Sequence, residues 1–323
     1  MSLLPVRAEG PDPALAGASA AGSGRRVAVV RRVLLSQPQA AAGVGILAVF
    51  VIGALAAPYI ARYPPDVQVG RVYAPPSSAH WLGLDNGGFD VASQLLYGAR
   101  DSLLVGFVAA AVAMVIGGGI GILSGYVGGA TDAVLMRITD YFLVIPDIPL
   151  MIVAAALFGQ SQRNIVIIIG VIYWTSAARL IRAQVKSVRE RVYVRRARAV
   201  GASNLRILAT HVIPQVAPLL IANTVLMIAN AIFAETYITF LGLGNPSVIS
   251  WGGMIQNALD GGAIFYQAWW AILPPGLAVT VVVLAATMVG QGMENALNPR
   301  LKVGHLAARR FRVRPLHGEL GRE

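Results

Sequence analysis

Apolar residues in this chain gather into long runs with few charges, and most polar and charged residues lie between the runs rather than alternating within them. Six runs approach the length that about 30 Å of hydrocarbon requires at about 1.5 Å of rise per residue: residues 40–62, 102–123, 133–158, 164–180, 215–241 and 268–289. Hydrocarbon offers no water to pair with backbone groups, so each run is predicted to be a helix. The expected fold class is all-α integral membrane with about six transmembrane helices. Around the first span lie an N-terminal tail at 1–39, rich in Ala, Gly, Ser and Pro and expected to be disordered, and a segment at 63–101 outside the membrane. A five-helix core at 102–292 contains a basic loop at 182–214, and a tail follows at 293–323.

Prolines at Pro146, Pro149, Pro214, Pro218, Pro274 and Pro275 lie within or beside the runs and imply kinks. Gly117, Gly118, Gly119 and Gly121 in the second run would let another backbone approach closely, a usual device where helices pack in lipid.

Composition sharpens this picture, because 56% of residues are hydrophobic and only 13% charged, against about one-quarter charged in soluble domains. The net charge of +11 would suit nucleic acid, but the charges flank the apolar runs, so a nucleic-acid partner is not expected. Arg25, Arg26, Arg31 and Arg32 precede the first run. The 7–15-residue apolar stretch of a cleavable signal is missing near the start, so the first span is expected to be retained. With both termini placed in the cytoplasm, all Lys and Arg fall inside except Arg62, Arg71, Arg100, Arg163 and the intramembrane Arg137, as positive-inside asymmetry demands. Tyr59, Tyr63, Trp81, Trp251, Tyr266, Trp269 and Trp270 then fall at or beyond outer span ends, where aromatic rings anchor at the interface.

Several chemistries are excluded. Without cysteine there is no disulfide scaffold, thiol nucleophile or thiolate metal site, and His80, His211, His305 and His317 lie too far apart for a zinc site. No nucleophile and base are placed together, and the phosphate loop Gly-x-x-x-x-Gly-Lys-Ser/Thr is lacking. The chain is therefore expected to be non-catalytic and to hold no cofactor of its own.

The loop at 182–214 is the most informative stretch. Its first half favours helix, Gly201 breaks or turns it, and Ser203 or Asn204 can cap a second short helix. Small residues at Ala197, Ala199, Gly201 and Ala202 form a surface on which another protein can sit closely, with Leu205 as an apolar plug among arginines. On charge alone, binding to anionic lipid headgroups explains the loop equally well. The residue order adds to this. Tyr193-Val-x-x-Ala197-x-x-x-Gly201-Ala-Ser, followed by His211-Val-Ile-Pro214, resembles the EAA loop of bacterial ABC importer permeases.

The resemblance spans most of the chain and points to the C-type permease of the dipeptide, oligopeptide and nickel uptake family. Besides the loop, it is carried by His80-Trp-Leu-Gly-Leu-Asp85, Phe89-Asp90-Val, Leu96-Tyr-Gly-Ala-Arg-Asp-Ser-Leu-Leu-Val-Gly106, Gly125-Tyr-Val-Gly-Gly-Ala-Thr-Asp132, Arg137-Ile-Thr-Asp140 and Glu235-Thr-Tyr-Ile-Thr-Phe-Leu-Gly-Leu-Gly244. It implies a type I ABC importer transmembrane fold in the bacterial inner membrane. It also implies a homologous B-type permease partner, one fused or two separate ABC ATPase subunits that bind ATP and Mg, and an extracytoplasmic binding protein. The loop would be the coupling helix, carried by Ala197, Gly201, Ala202, Ser203, Leu205, Arg206, His211 and Pro214. Arg196 stands where the family has a small alanine, and Arg195 replaces the leading acid. Implied cargo is short peptides, with nickel chelates, glutathione and haem as alternatives. An ion-coupled secondary transporter is the alternative from another class, although such carriers usually show more spans or an internal repeat.

Ionisable groups inside spans are costly and functional or paired by default. Arg137 and Asp140, three apart, are expected to pair with each other. Asp147 beside Pro146 has two open readings, pathway lining or satisfaction of freed amides. Glu235, with Asn223 and Asn230 earlier in the same run, lines the pathway or bonds a neighbouring helix. In the outer segment Trp81, Asp85 and Asp90, together with Trp251 beyond the fifth span, are the expected contacts with the binding protein or partner permease.

Overall fold

Each apolar run folds into helix, and the ends of the helices are set by specific caps and prolines. The computed structural model describes residues 37–297. The tails, with Arg25, Arg26, Arg31, Arg32, His305 and His317, lie outside the described residues. In chain order the helices are α1 (Pro38–Ile60), α2 (Val91–Val127), α3 (Gly129–Val144), α4 (Asp147–Phe158), α5 (Gln162–Arg189), α6 (Val192–Ala199), α7 (Asn204–Ile207), α8 (Ile213–Ile238), α9 (Trp251–Asp260) and α10 (Trp269–Leu297). π-helical turns at Leu208–Val212 and Thr239–Leu243 flank α8. The described residues contain no strand, only an isolated bridge between Leu84 and Asp90.

Five helices, counting α7 to the second π-turn as one, are long and apolar enough to cross a membrane. The expected span at 133–158 is instead two helices, α3 and α4, bent by 85°. Pro146 causes the break. A residue before proline is pushed out of the helical region, and Ile145 accordingly has φ −77° and ψ 126°. Pro218, Pro274 and Pro275 do not break their helices, α8 and α10. The second run begins earlier than expected. Asp90 caps it with its carboxylate, accepting the Ser93 N–H at 2.9 Å, so α2 takes in residues assigned to the outer segment.

The centre of the bundle is the contact of α2 with α5. Gly117, Gly121 and Gly125 recur every fourth residue and lie on one helix face. A Cβ at these positions would stand 2.3 Å from the Trp174 carbonyl oxygen, 2.7 Å from that of Ala178 and 2.8 Å from that of Arg182. The two backbones touch because no side chain separates them, as small-xxx-small contacts allow in lipid. On the other side α10 packs between α8 and α1.

Residues 61–90 fold back over the end of the bundle opposite the basic loop. The Tyr73 hydroxyl donates to the Ala258 carbonyl at 3.1 Å and Trp270 Nε1 to that of Leu84 at 3.0 Å. Trp251 Nε1 donates to Leu95 O at 3.1 Å, and Trp251 is wholly buried. Trp251 and Trp270 are therefore core residues rather than interfacial anchors, whereas Tyr59, Trp81, Tyr266 and Trp269 are exposed.

Gly121→Leu should drive α2 from α5, costing about 1–3 kcal/mol or more and lowering the thermal midpoint of the detergent-solubilised chain. Gly119 has nothing within 4 Å of its Cβ position, so Gly119→Ala should leave the midpoint unchanged or raise it.

Candidate functional site

Five arginines and three large aliphatic side chains protrude from one compact element at the basic end of the bundle. It begins where α5 ends at Arg189 and continues through α6, a turn at Gly201, and α7. α6 is closed by a Schellman arrangement: the Gly201 N–H donates to Arg198 O at 3.0 Å and the Ala202 N–H to Ala197 O at 3.1 Å. That closure needs a left-handed residue, and Gly201 has φ +84°. Ser203 then caps α7, its Oγ accepting the Arg206 N–H at 3.4 Å. The helix-turn-helix expected from sequence is thus formed, although α7 has only 4 residues before the π-turn carries the chain into α8. Pro214 explains the π-turn. It has no N–H and its ring collides with the carbonyl four residues back, so the ladder slips by one residue just before it.

Val194, Ile207, Val212 and Val216 pack with Ile181, Val185, Val188 and Tyr126 in a separate apolar cluster, against which Ala197 and Ala202 rest. Tyr126, at the end of α2, binds the loop twice. Its hydroxyl donates to Asn204 Oδ1 at 3.0 Å, and its carbonyl accepts from Arg189 Nη1 at 2.9 Å. His211 is half-buried, its ring stacked on Tyr193 and its Nδ1 2.5 Å from Thr210 Oγ1. The outward face is the reverse of a core. Leu205 is 77% exposed and Val200 84%, with Arg195, Arg196, Arg198 and Arg206 exposed around them. A rigid base, projecting aliphatic side chains and a cationic rim make a surface for docking another protein rather than for covalent chemistry.

A charge cluster next to this loop escaped the sequence reading. Asp132, buried at the start of α3, accepts Arg182 Nε at 2.5 Å, Arg182 Nη2 at 2.8 Å and Lys186 Nζ at 2.6 Å. Farther along the same pair of helices, Asp140 accepts Arg179 Nη2 at 2.6 Å. The expected Arg137–Asp140 pair is therefore corrected. α3 runs antiparallel to α5, so acids on α3 meet cations on α5, and Arg137 is exposed with no ion pair among the described residues. The signal available was Arg182 and Lys186 four apart, on one helix face.

The expected pathway residues are not brought together. Glu235 is buried in α8, Asn230 is exposed on another face of that helix, and Asp147 is exposed at the start of α4. Asp147 Oδ1 accepts the Ile148 N–H at 2.9 Å, so it serves a backbone amide freed by the break at Pro146. The expected partner contacts also change. Trp81 is 72% exposed, but Asp85, Asp90 and Trp251 are buried and their polar atoms are engaged within the chain. Asp85 Oδ1 accepts the N–H groups of Gly87 at 2.8 Å and Phe89 at 2.9 Å. Burial pushes its carboxyl above the usual range, offset in part by those donors. Asp90 binds Ser93, and its Oδ1 lies 3.0 Å from His80 Nδ1.

Asp132→Ala should release α3 from α5 and cost roughly 1–3 kcal/mol, while Asp140→Ala, at a half-exposed pair, should cost under about 1 kcal/mol. Chemical-denaturation curves of the two variants check the order. Asp85→Asn keeps an acceptor for both N–H groups and removes a poorly solvated charge, so its thermal midpoint should equal or exceed wild type. Asp85→Ala should lose about 1–3 kcal/mol through two unpaired amides.

Comparison with known proteins bears on this surface. Residues 117–303 match the family described as binding-protein-dependent transport system inner membrane component. Residues 27–76 match the N-terminal transmembrane domain of oligopeptide transport permease C. The oligopeptide transport system permease protein OppC of Mycobacterium tuberculosis is 34% identical over 278 residues, covering 85% of this chain and 94% of that protein. The dipeptide transport system permease protein DppC of Alkalihalophilus pseudofirmus is 34% identical over 263 residues, covering 80% and 85%. The glutathione transport system permease protein GsiD of Pectobacterium atrosepticum is 34% identical over 275 residues, covering 84% and 90%.

Proposed function

Because the chain belongs to the family of binding-protein-dependent transport system inner membrane components, we propose that it is the C-type permease of an ATP-driven importer of di- and oligopeptides. The observation that carries this reading is the basic-end element, in which a rigid turn at Gly201 holds Leu205 and Val200 out in water inside a ring of arginines. Exposed aliphatic side chains on an otherwise packed element mark a protein-binding site. Its occupant here is an ATPase subunit, fused or in two copies, that binds ATP and Mg and supplies the hydrolysis this chain has no phosphate loop to perform. Ala197 and Ala202 form the floor, Ser203 and Gly201 set the turn, Leu205 and Arg206 make contact, and His211 and Pro214 join the loop to α8.

The Lys and Arg flanking the spans support cytoplasmic termini and a cytoplasmic loop. A homologous B-type permease completes the pathway across the membrane, and a binding protein delivers cargo to the opposite face, where Trp81 remains exposed for contact. Partners with different affinities for inward- and outward-open arrangements drive alternating access. Because the cytoplasmic element is tied to the end of α2 through Tyr126 and to α5 through Arg189, a push on it moves the central helix pair. Peptide cargo draws support from the names of the relatives. Glutathione, itself a peptide, is the second cargo reading because a glutathione permease is equally similar.

Gly201→Glu with Ala202→Glu should abolish co-purification of the ATPase while the permease pair stays assembled, and peptide uptake should fall about tenfold or more, as about 1.4 kcal/mol of lost docking produces. Retention of the ATPase by the double variant would overturn the coupling role, and failure of the wild type to bind any ATPase would favour an ion-coupled carrier.

A further inference from the structure

Two acidic side chains far from the basic loop wall a small, partly open cavity within the bundle. The cavity has a volume of about 10 Å³ and is lined by Asp101, Gln162, Glu235, Thr239, Asn245 and Ser250, with aliphatic side chains between them. Such a space takes about one water-sized occupant. Asp101 Oδ1 accepts from Gln162 Nε2, and Glu235 Oε2 accepts from Thr236 Oγ1 at 3.4 Å. Glu235 Oε1 has no hydrogen-bond partner, although the residue is only 1% exposed.

No Lys, Arg or His lines the cavity, and Arg100 and Arg163, adjacent in sequence to Asp101 and Gln162, are exposed. The groups facing Glu235 are thus Asp101, Ser102 and Val105 on α2, Gln162 and Ile165 on α5, Thr236 and Thr239 on its own run, and Asn245, Val248 and Ser250 beyond it. Asp101 is the sole other ionisable group among them. Glu235 is buried with one oxygen unpaired and no cation beside it, and Asp101 is half-buried on the same wall, so the ionised pair would lack a compensating positive charge. Thr239, Asn245, Val248 and Ser250 also line a second hollow of about 230 Å³, whose other walls include Gln94, Gln160, Gln256 and Asn257. That amide-rich hollow shares these four residues as a common wall with the acid cavity.

We propose that the cavity is a binding site for one small monovalent cation, held between the carboxyls of Glu235 and Asp101 and reached through the amide-lined hollow. Its wall offers carboxyl oxygens from Glu235 and Asp101, hydroxyls from Thr239 and Ser250 and amide oxygens from Gln162 and Asn245, and oxygen ligands suit a hard ion. The described residues hold no group of three or more acidic, His or Cys side chains such as a multivalent metal would take. A sodium ion and a proton share the required chemistry. Either would join α2, α5 and α8 to the start of α9, so occupancy stiffens the half of the bundle opposite the coupling loop. The inference does not depend on peptide cargo.

The test uses the full chain, in its complex, in nanodiscs of neutral lipid. Thermal midpoints are taken in sodium chloride against choline chloride, at about pH 8 and about pH 6, for wild type, Glu235→Gln and Asp101→Asn. Infrared difference spectra between wild type and Glu235→Gln report a protonated carboxyl. The expected result is a wild-type midpoint raised by about 2–4 °C by the occupant, a response lost in Glu235→Gln and reduced in Asp101→Asn. A sodium response at the higher pH without a carboxylic-acid band identifies sodium. A band removed by Glu235→Gln, with no sodium response, identifies the proton. Equal responses in wild type and both variants, or no response and no band, would overturn the site. If Glu235→Gln does not fold, the wild-type response and Asp101→Asn decide.

Discussion

Lipid does not push apolar helices together as water does, because a leucine is as well solvated by acyl chains as by another leucine. Close packing must supply the attraction, and in this chain it comes from the line of Gly117, Gly121 and Gly125 that brings α2 against the backbone of α5. The rest of the molecule hangs on that contact. At one end it places Arg182 and Lys186 against Asp132 and sets Tyr126 under the basic helix-turn-helix element. At the other it brings Asp101 on α2 to Gln162 on α5, forming one wall of the acid cavity.

The two ends are built for different tasks. The basic end shows apolar side chains to water on a frame fixed by a buried valine and isoleucine cluster, the arrangement expected of a surface completed by a partner. The opposite end is closed over by its own polypeptide. Residues 61–90 bury Tyr73 and Leu84 against the bundle and use Asp85 and Asp90 to satisfy amides at a turn and at the start of α2.

Membership of the binding-protein-dependent permease family makes this chain a non-catalytic part of a transport machine. The Schellman closure at Gly201 permits a stiff, short element, and its ties to Tyr126 and Arg189 connect it to α2 and α5. α3 is tied to α5 by a buried Asp132 cluster at one end and by the half-exposed Asp140–Arg179 pair farther along, of which only the second can be exchanged at modest cost.

Run length and charge were enough to read five of the six expected spans, because a helix in hydrocarbon satisfies its own backbone and needs no neighbour to exist. The turn at Gly201 and the cap at Ser203 were legible for the same reason, since both are local hydrogen-bond patterns. Partner choice was not. Asp140 had Arg137 at helix spacing but bonds Arg179, Trp251 looked like an anchor but is core, and the kink legible at Pro146 is a bend of 85° whose size depends on how α3 and α4 pack. Nor could Glu235 be assigned to Asp101, which lies in a distant part of the chain. Composition and periodicity belong to one segment at a time and determined the helices, whereas burial and charge pairing depend on which segments meet. That was decided by where two backbones could touch.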